Sequence, residues 1–283
     1  MVIGIDASRY SETEKTGTEW YSFMIINELL RKFSENSKNN VLLYSSAPLK
    51  GKTIQKYLSN QNITNRVLPA KRLWTLRTLT KEMKMAAPDV LFVPSHVFPL
   101  VQPKKAIIMI HDVAFKKFRK AYSFFQYHYL NWSTKYACKN ATTIITPSEA
   151  TKNDLIKSYK CPTEKIKVIY HGPPKVPTNF ELDKKTEDKF YKFFRLNRDT
   201  KFLLFIGRLE IKKNITKMIQ AFAKFSKDFP DYKFILAGKR GVGFNKIFKA
   251  LNRLGIWNKI FMPRCKPRLR KVIILIDVLN ELV

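Results

Sequence analysis

Short apolar runs alternate with amphipathic stretches along most of this chain. The clearest case is 202–239, FLLFIGRLEIKKNITKMIQAFAKFSKDFPDYKFILAGK. Phe202–Ile206 is continuously apolar and is followed by Gly207-Arg208. A polar turn then ends in Lys212-Lys213-Asn214, and an amphipathic segment presents Ile215, Met218, Ile219, Phe222 and Phe225 on one face. A second apolar run, Phe234–Ala237, ends in Gly238-Lys239. Buried strand, helix, buried strand is the pattern of a βαβ unit, whose strands pair in parallel.

The same alternation predicts the rest. Val2–Asp6 reads as a strand. A helix capped by Thr18 and running to about Phe33 follows, with Tyr21 or Trp20, Met24, Ile25, Leu29 and Phe33 as its core face. Strands are expected at Val41–Ser45, Arg66–Leu68, Asp89–Pro94, Ala106–Ile110, Ala141–Thr146 and Ile166–Tyr170. Helices are expected at Ile54–Leu58, Leu73–Ala87, Ser123–Asn140 and Glu149–Tyr159, the last capped by Ser148. The piece HGPPKVPTNF has no period and reads as a linker, and a charged helix over 183–195 leads into the second set. That set continues with a helix at Phe244–Leu254 and a strand at Lys259–Met262. The class is α/β. The divisions are 1–172, a connector over 173–200, and 201–283. The last twenty residues lose the pattern, so the second domain is expected to be incomplete and to leave an apolar edge uncovered.

Composition sharpens this in three places. No apolar run reaches the roughly 20 residues that span a bilayer, and MVIGIDASR meets charge too early for a secretion signal. Cys138, Cys161 and Cys265 lack metal or redox spacing, so reduced cytoplasmic thiols are the default. The net charge of +31, from 53 Lys+Arg against 22 Asp+Glu, is spread along the chain. A lysine-biased composition with no partner, attraction to an anionic membrane face, and nucleic-acid binding all remain open, and no nucleic-acid module is visible.

Candidate chemistry gathers at strand ends, where open α/β sheets bind ligands. Arg208, Lys213 and Lys239 sit at such ends, and Arg208 and Lys213 also flank a helix start, where free N–H groups favour anions. A phosphate is the expected guest. Gly17, before the first helix, allows backbone to approach a ligand closely or is an ordinary loop glycine. His111-Asp112 follows a strand, where the imidazole either serves a sugar hydroxyl or is structural. The four histidines, including His96, His128 and His171, have no metal-ligand spacing, so no metal is expected. No serine nucleophile elbow, Walker loop or GxGxxG occurs, which leaves nicotinamide chemistry without support.

IGIDASR with TGTEWY, HDVAF, ATTIITPSEATKNDLIKSY, EKIKVIYHG, FIGRLEIKKNITKMIQAF and FILAGKRGVG stand in one order from residue 1 to about 262. The ordered set resembles the family 4 retaining glycosyltransferases, group 1 nucleotide-sugar enzymes built of two Rossmann-like domains (GT-B). The resemblance implies transfer of a mannose- or glucose-type sugar from a nucleotide diphosphate to a cell-envelope glycan or lipid-linked acceptor. It implies no cofactor beyond the donor substrate and no required metal. The setting is cytoplasmic, peripheral at an inner membrane face, and nucleic acid is disfavoured as a partner. Arg208 and Lys213 match the pair that grips the donor diphosphate, and Gly17 the loop glycine near the phosphates. His111, with Asp112 beside it, matches the cleft histidine. Gly207, Gly238 and Lys239 fall in the nucleotide pocket. The family's later pair of glutamates around Gly-Phe-Gly has no match, since Glu281 is followed only by Leu282 and Val283. A chain that is a poor enzyme as written is therefore expected, with nucleotide or partner binding alone as the other reading.

Overall fold

A computed structural model describes residues 1–11, 17–35, 38–70, 72–172, 184–194 and 196–262. These form two compact units, Met1–Gly172 and Pro173 onward.

The first unit carries seven parallel strands in the order β3-β2-β1-β4-β5-β6-β7. They are β1 (Val2–Asp6), β2 (Asn40–Ser45), β3 (Ile63–Val67), β4 (Val90–Val93), β5 (Lys105–Met109), β6 (Thr143–Thr146) and β7 (Ile166–Val168). The interleaved helices are α1 (Gly17–Ser34), α2 (Lys52–Leu58), α3 (Thr80–Met85), α4 (Ala114–Lys117), α5 (Phe124–Asn140) and α6 (Glu149–Tyr159). Period-two alternation sends Ile3, Ile5, Leu43 and Phe92 to one face, under Ile26, Leu30 and Ile54. It sends Tyr44, Leu91, Val93 and Ile108 to the other, with Ala137, Cys138 and Leu155. The strand order reverses between β1 and β4, and this is where such sheets open a crevice at their carboxyl ends.

Several local readings need correction. The buried stripe of α1 is Ser22, Ile26 and Leu30. Trp20 and Met24, placed in the core from sequence, are 42% and 47% exposed. Tyr21, Ile25, Leu29 and Phe33, also expected there, do pack against this core as its partly buried flank, while the fully buried centre of the face lies one residue further on, at Ser22, Ile26 and Leu30. β3 starts at Ile63, ahead of the expected Arg66. The expected helix over Leu73–Ala87 begins as a π-helical turn, Thr75–Leu79, after Leu73 in the left-handed region (φ 52°). α4 was not foreseen. The Ser148 cap was, and its Oγ accepts from the Thr151 N–H at 3.2 Å. Cys138 and Cys161, distant in sequence, are both buried free thiols. The neighbouring Cys161 sulfur, together with burial, pushes the Cys138 thiol well above its ordinary value.

The second unit contains α7 (Lys184–Phe194), β8 (Phe202–Ile206), α8 (Ile215–Asp228), β9 (Lys233–Ala237), α9 (Phe244–Leu254) and β10 (Ile260–Phe261). Its sheet is parallel, in the order β10-β9-β8. α7, assigned from sequence to the connector, packs Phe190 and Phe194 against Ile235 and Ala237 of β9. α8 buries Ile215, Ile219, Phe222 and Ser226. Met218, expected in its core face, is 37% exposed. β8 was read as a buried strand. Among the described residues it is an outer strand, with Leu203 41% and Ile206 37% exposed. Cys265, Glu281 and the apolar segment Val272–Val278 lie outside the described residues. No described helix is long and apolar enough to cross a membrane.

Candidate functional site

Each unit gathers its candidate residues at the carboxyl ends of its own strands. In the first unit a cleft of about 970 Å³ opens there, at the β1–β4 reversal. Arg9 from the end of β1, Ser95 and His96 from the end of β4, and Asp112 from the end of β5 all line it. Trp74 and Tyr129 supply aromatic wall. Leu73 and Thr75 bring the left-handed residue and the π-turn to the same rim. Strained or irregular backbone of this kind collects at functional sites.

His111 lies half-buried beside this cleft. Its ring packs edge-on against Tyr21 of α1 at 4.8 Å, with His96 at 5.6 Å and His171 at 5.9 Å. Its Nε2 meets the Pro94 carbonyl at 3.4 Å. A carbonyl only accepts, so that contact assigns the proton to Nε2 and leaves Nδ1 as the acceptor. Burial, then the neighbouring His96, lowers the His111 pKa to about 4. The ring is therefore neutral at physiological pH. The Thr151 hydroxyl donates to the His111 carbonyl at 3.2 Å and ties the loop to α6. His96 donates from Nε2 to the Asp112 carbonyl at 2.8 Å, while the Asp112 carboxylate accepts from the Ala114 N–H at 2.9 Å and starts α4. Asp6, at the end of β1, is 1% exposed, and burial raises its pKa. Its Oδ1 accepts from the Ser8 N–H at 2.9 Å, which shapes the turn that presents Arg9.

In the second unit the loops after β8 and β9 continue the parallel pairing. Gly207 N–H donates to the Ala237 carbonyl, Leu209 N–H to Lys239, and Ile211 N–H to Val242, each at 2.9 Å. Gly207-Arg208 thus runs beside Gly238-Lys239. The approach is so close that a Cβ on Gly238 would fall 1.7 Å from the Gly207 carbonyl oxygen, so only glycine fits. A Cβ on Gly241 would come within 2.9 Å of the Arg208 stem, which crosses over it. Lys213 closes a 3₁₀ turn, and Asn214, left-handed at φ 54°, starts α8 without a side-chain cap. No acidic residue occupies the first turn of α8. That leaves a helix N-terminus with positive dipole and exposed Lys213 next to it.

The sequence-predicted residues therefore fall into two sets. His111 and Asp112 are neighbours in the first unit, where Gly17 opens α1 one turn before Tyr21. A Cβ on Gly17 would meet nothing within 4 Å. Gly207, Arg208, Gly238 and Lys239 form one double loop in the second unit, and Lys213 precedes α8. Sequence reasoning missed Arg9, the π-turn and the grouping of His96 and His171 about His111. IGIDASR held the signal for Arg9, because a cation directly after the first strand of a doubly wound sheet stands at the crevice.

Residues 35–173 match Glycosyltransferase Family 4, and residues 186–278 match Glycosyl transferases group 1. The chain belongs to the group 1 glycosyltransferases. The second match runs to residue 278, past the 262 at which the motifs read from the sequence stop. An uncharacterized glycosyltransferase of Methanocaldococcus jannaschii is 32% identical over 97 residues, 34% of this chain and 24% of that protein. The fold resembles WaaG, a glycosyltransferase involved in lipopolysaccharide biosynthesis, with TM-score 0.58 and 13% identity over 93% of this chain and 70% of WaaG. It also resembles sucrose-phosphate synthase of Thermosynechococcus elongatus, with TM-score 0.60 and 13% identity over 95% of this chain and 71% of that one. The fold of this group 1 glycosyltransferase is thus GT-B.

Proposed function

We propose that this protein transfers a mannose- or glucose-type sugar from a nucleoside diphosphate donor to a glycan or lipid-linked acceptor of the cell envelope. The observation that carries the reading is the double loop of the second unit. It sets Arg208 and Lys239 on adjoining backbones at the strand ends, ahead of an uncapped helix start preceded by Lys213. Cations and free N–H groups there stabilise the charge that grows on a departing diphosphate. They supply that countercharge without a metal. Gly207 and Gly238 let the nucleotide approach backbone. In the first unit, neutral His111 holds its Nδ1 available to a sugar hydroxyl proton, and Asp112 and Arg9 add polar contacts. The aromatic wall of Trp74 and Tyr129 suits an acceptor sugar's apolar face. Gly17, at the open start of α1, is assigned to the phosphates.

The test is purified protein with a panel of nucleotide sugars, following nucleotide release with and without acceptor. Release at an ordinary enzyme rate, on the order of 1 per second, supports transfer. Nucleotide binding without release reduces the function to binding, and no nucleotide binding at all removes the donor-site assignment.

A further inference from the structure

Cys138 is the last buried residue of α5, and Cys161 follows the end of α6. The two stand 23 residues apart in sequence. Both belong to one apolar cluster of the first unit, where they are 4% and 3% exposed. The carboxyl ends of α5 and α6 are laced together. The Tyr159 hydroxyl donates to Asn131 Oδ1 at 3.0 Å, and the Lys165 ammonium donates to the Lys139 carbonyl at 2.9 Å. Lys160, left-handed at φ 51°, caps α6 and turns the chain toward α5. Among these ties the two thiols are in hydrogen-bonding contact with each other.

The contact is not symmetrical. The bond to the Cys161 sulfur, then burial, raises the Cys138 thiol. The same bond lowers Cys161, with Lys165 adding to it against burial and Glu164. Cys161 is thus the thiol that ionises first, and Cys138 holds its proton and donates it to that sulfur. A thiolate is the nucleophile of such a pair. Neither thiol serves the cleft. Phe125, Gln126, Tyr129 and Leu130 of α5 line it, and Cys138 lies about two turns beyond the last of them. Cys138 and Cys161 precede β6 and β7, at the amino ends of the strands, whereas the cleft opens at the carboxyl ends. Buried cysteines that only fill space are inert. Two in mutual contact beside an ammonium have the makings of a redox pair.

We propose that Cys138 and Cys161 form a reversible disulfide that clamps the end of α5 to the segment between α6 and β7, and that a small hydroperoxide closes it. Residues this deeply covered admit a peroxide but not a redox protein. The Cys161 thiolate, its proton already given to solvent, attacks one oxygen of hydrogen peroxide. The O–O bond breaks, Cys161 becomes a sulfenic acid, and the departing hydroxide takes a proton from solvent as water. The Cys138 sulfur then attacks the Cys161 sulfur. The S–O bond breaks, and the second hydroxide leaves with the Cys138 proton as water. Two electrons pass from the thiols to the peroxide, and a dithiol reductant returns them by exchange. Linking residues 23 apart restricts the unfolded chain, so the closed form is the more stable one. The clamp sits away from the cleft and does not depend on the transferase reading.

The experiment treats the full wild-type chain with hydrogen peroxide, blocks remaining thiols with an alkylating reagent, and maps the digested protein by mass spectrometry. A peptide pair joined through Cys138 and Cys161, short of two hydrogens and released by dithiothreitol, is expected. Cys265→Ser carries the thermal measurement, so that only this pair is read. Its unfolding temperature should rise by about 5 °C or more on oxidation. Dithiothreitol should reverse the rise, which separates it from methionine oxidation. Nucleotide binding should be the same in both forms. In Cys138→Ala, peroxide should leave a sulfenic acid on Cys161 that dimedone traps, with no rise in unfolding temperature. In Cys161→Ala, Cys138 should resist peroxide. The wild-type map stands even if a variant fails to fold. The proposal is overturned if both thiols stay reduced, which is what space-filling cysteines would do. It is equally overturned if each is oxidised without a link, if either pairs with Cys265 instead, or if the linked form melts lower than the reduced one.

Discussion

The two units use one building rule and arrive at different kinds of site. The first covers both faces of seven strands, and Leu43, Tyr44, Leu91, Val93 and Ile108 are all removed from water. Its chemistry is a side-chain environment, in which a half-buried imidazole is held by a tyrosine, two further histidines and a carbonyl. In the second unit, among the described residues, β8 carries exposed Leu203 and Ile206 at the outside of three strands. Its chemistry is a backbone environment, with two loops pressed together through Gly238 and cations standing out into solvent. Where a sheet is deeply covered, burial can tune a titratable group. Where it is shallow, positioning falls to main-chain hydrogen bonds and to the absence of a Cβ.

The largest contrast should appear in stability. Leu43→Ala empties a fully buried site and should cost about 2–5 kcal/mol. Leu203→Ala, already 41% exposed, should stay under about 1 kcal/mol. Denaturant titration of the full chain compares the two, and equal costs would break the contrast between covered and outer strands. Next comes Gly238→Ala. Its Cβ falls on the Gly207 carbonyl, so the loops must part, at or above the usual 1–3 kcal/mol, roughly, for overpacking. Nucleotide binding should be lost while unfolding of the first unit is unchanged. A Gly238→Ala protein that binds nucleotide normally would show that the double loop has slack.

How much of this was legible in the sequence follows the same division. Apolar runs located β1, β4 and β9 well, because they are buried almost throughout and leave no polar alternation to misread, whereas β3, whose Thr64 and Arg66 are exposed, was caught only at its end. Capping chemistry placed the start of α6 at Ser148. The side of α1 was legible, since Tyr21, Ile25, Leu29 and Phe33 pack on the core, but the centre of its buried face was not, because one of the fully buried positions is Ser22, which apolar counting skips. The outer position of β8 was not legible either, since Phe202–Ile206 reads the same whether a further strand lies beside it or not. For the site, Gly207-Arg208 and Gly238-Lys239 stood out as strand ends. Their hydrogen-bonded adjacency came only from the fold, as did the meeting of His96, His111 and His171 from three separate loops.

A smaller effect is expected at Arg208. Its guanidinium is exposed, so Arg208→Ala should leave stability unchanged. It should weaken diphosphate binding by the worth of one charge-assisted contact, about 1.5–3 kcal/mol. Calorimetric titration with a nucleoside diphosphate checks this, and Arg208→Lys should recover part of the loss because the charge is kept while the fork geometry is not. Unchanged affinity in Arg208→Ala would remove the residue from the donor site and leave Lys213 and the α8 start to account for it.

The smallest effect at neutral pH concerns His111, and there its sign is the test. Burial, then the neighbouring His96 and to a lesser degree His171, hold its folded pKa near 4, against an ordinary value of 6.5, while the Pro94 carbonyl and, less, Asp112 pull the other way. A depressed histidine pKa means that the unfolded chain takes up a proton, between about pH 6.5 and 4, that the folded chain does not. Stability should therefore fall as pH drops through that window, by at most about 1.4 kcal/mol per pH unit for one proton. Above pH 6.5 the group should contribute no slope. His111→Asn should remove this component and leave any slope from carboxylates below it. Proton NMR of the imidazole reads the same quantity directly, with a midpoint expected near pH 4. Replacing His96 with asparagine should move that midpoint upward, because a neighbouring cation is lost. A midpoint at 6.5 in the wild type would mean that the first unit does not shelter this ring, and the distinction between a side-chain site and a backbone site would fall with it.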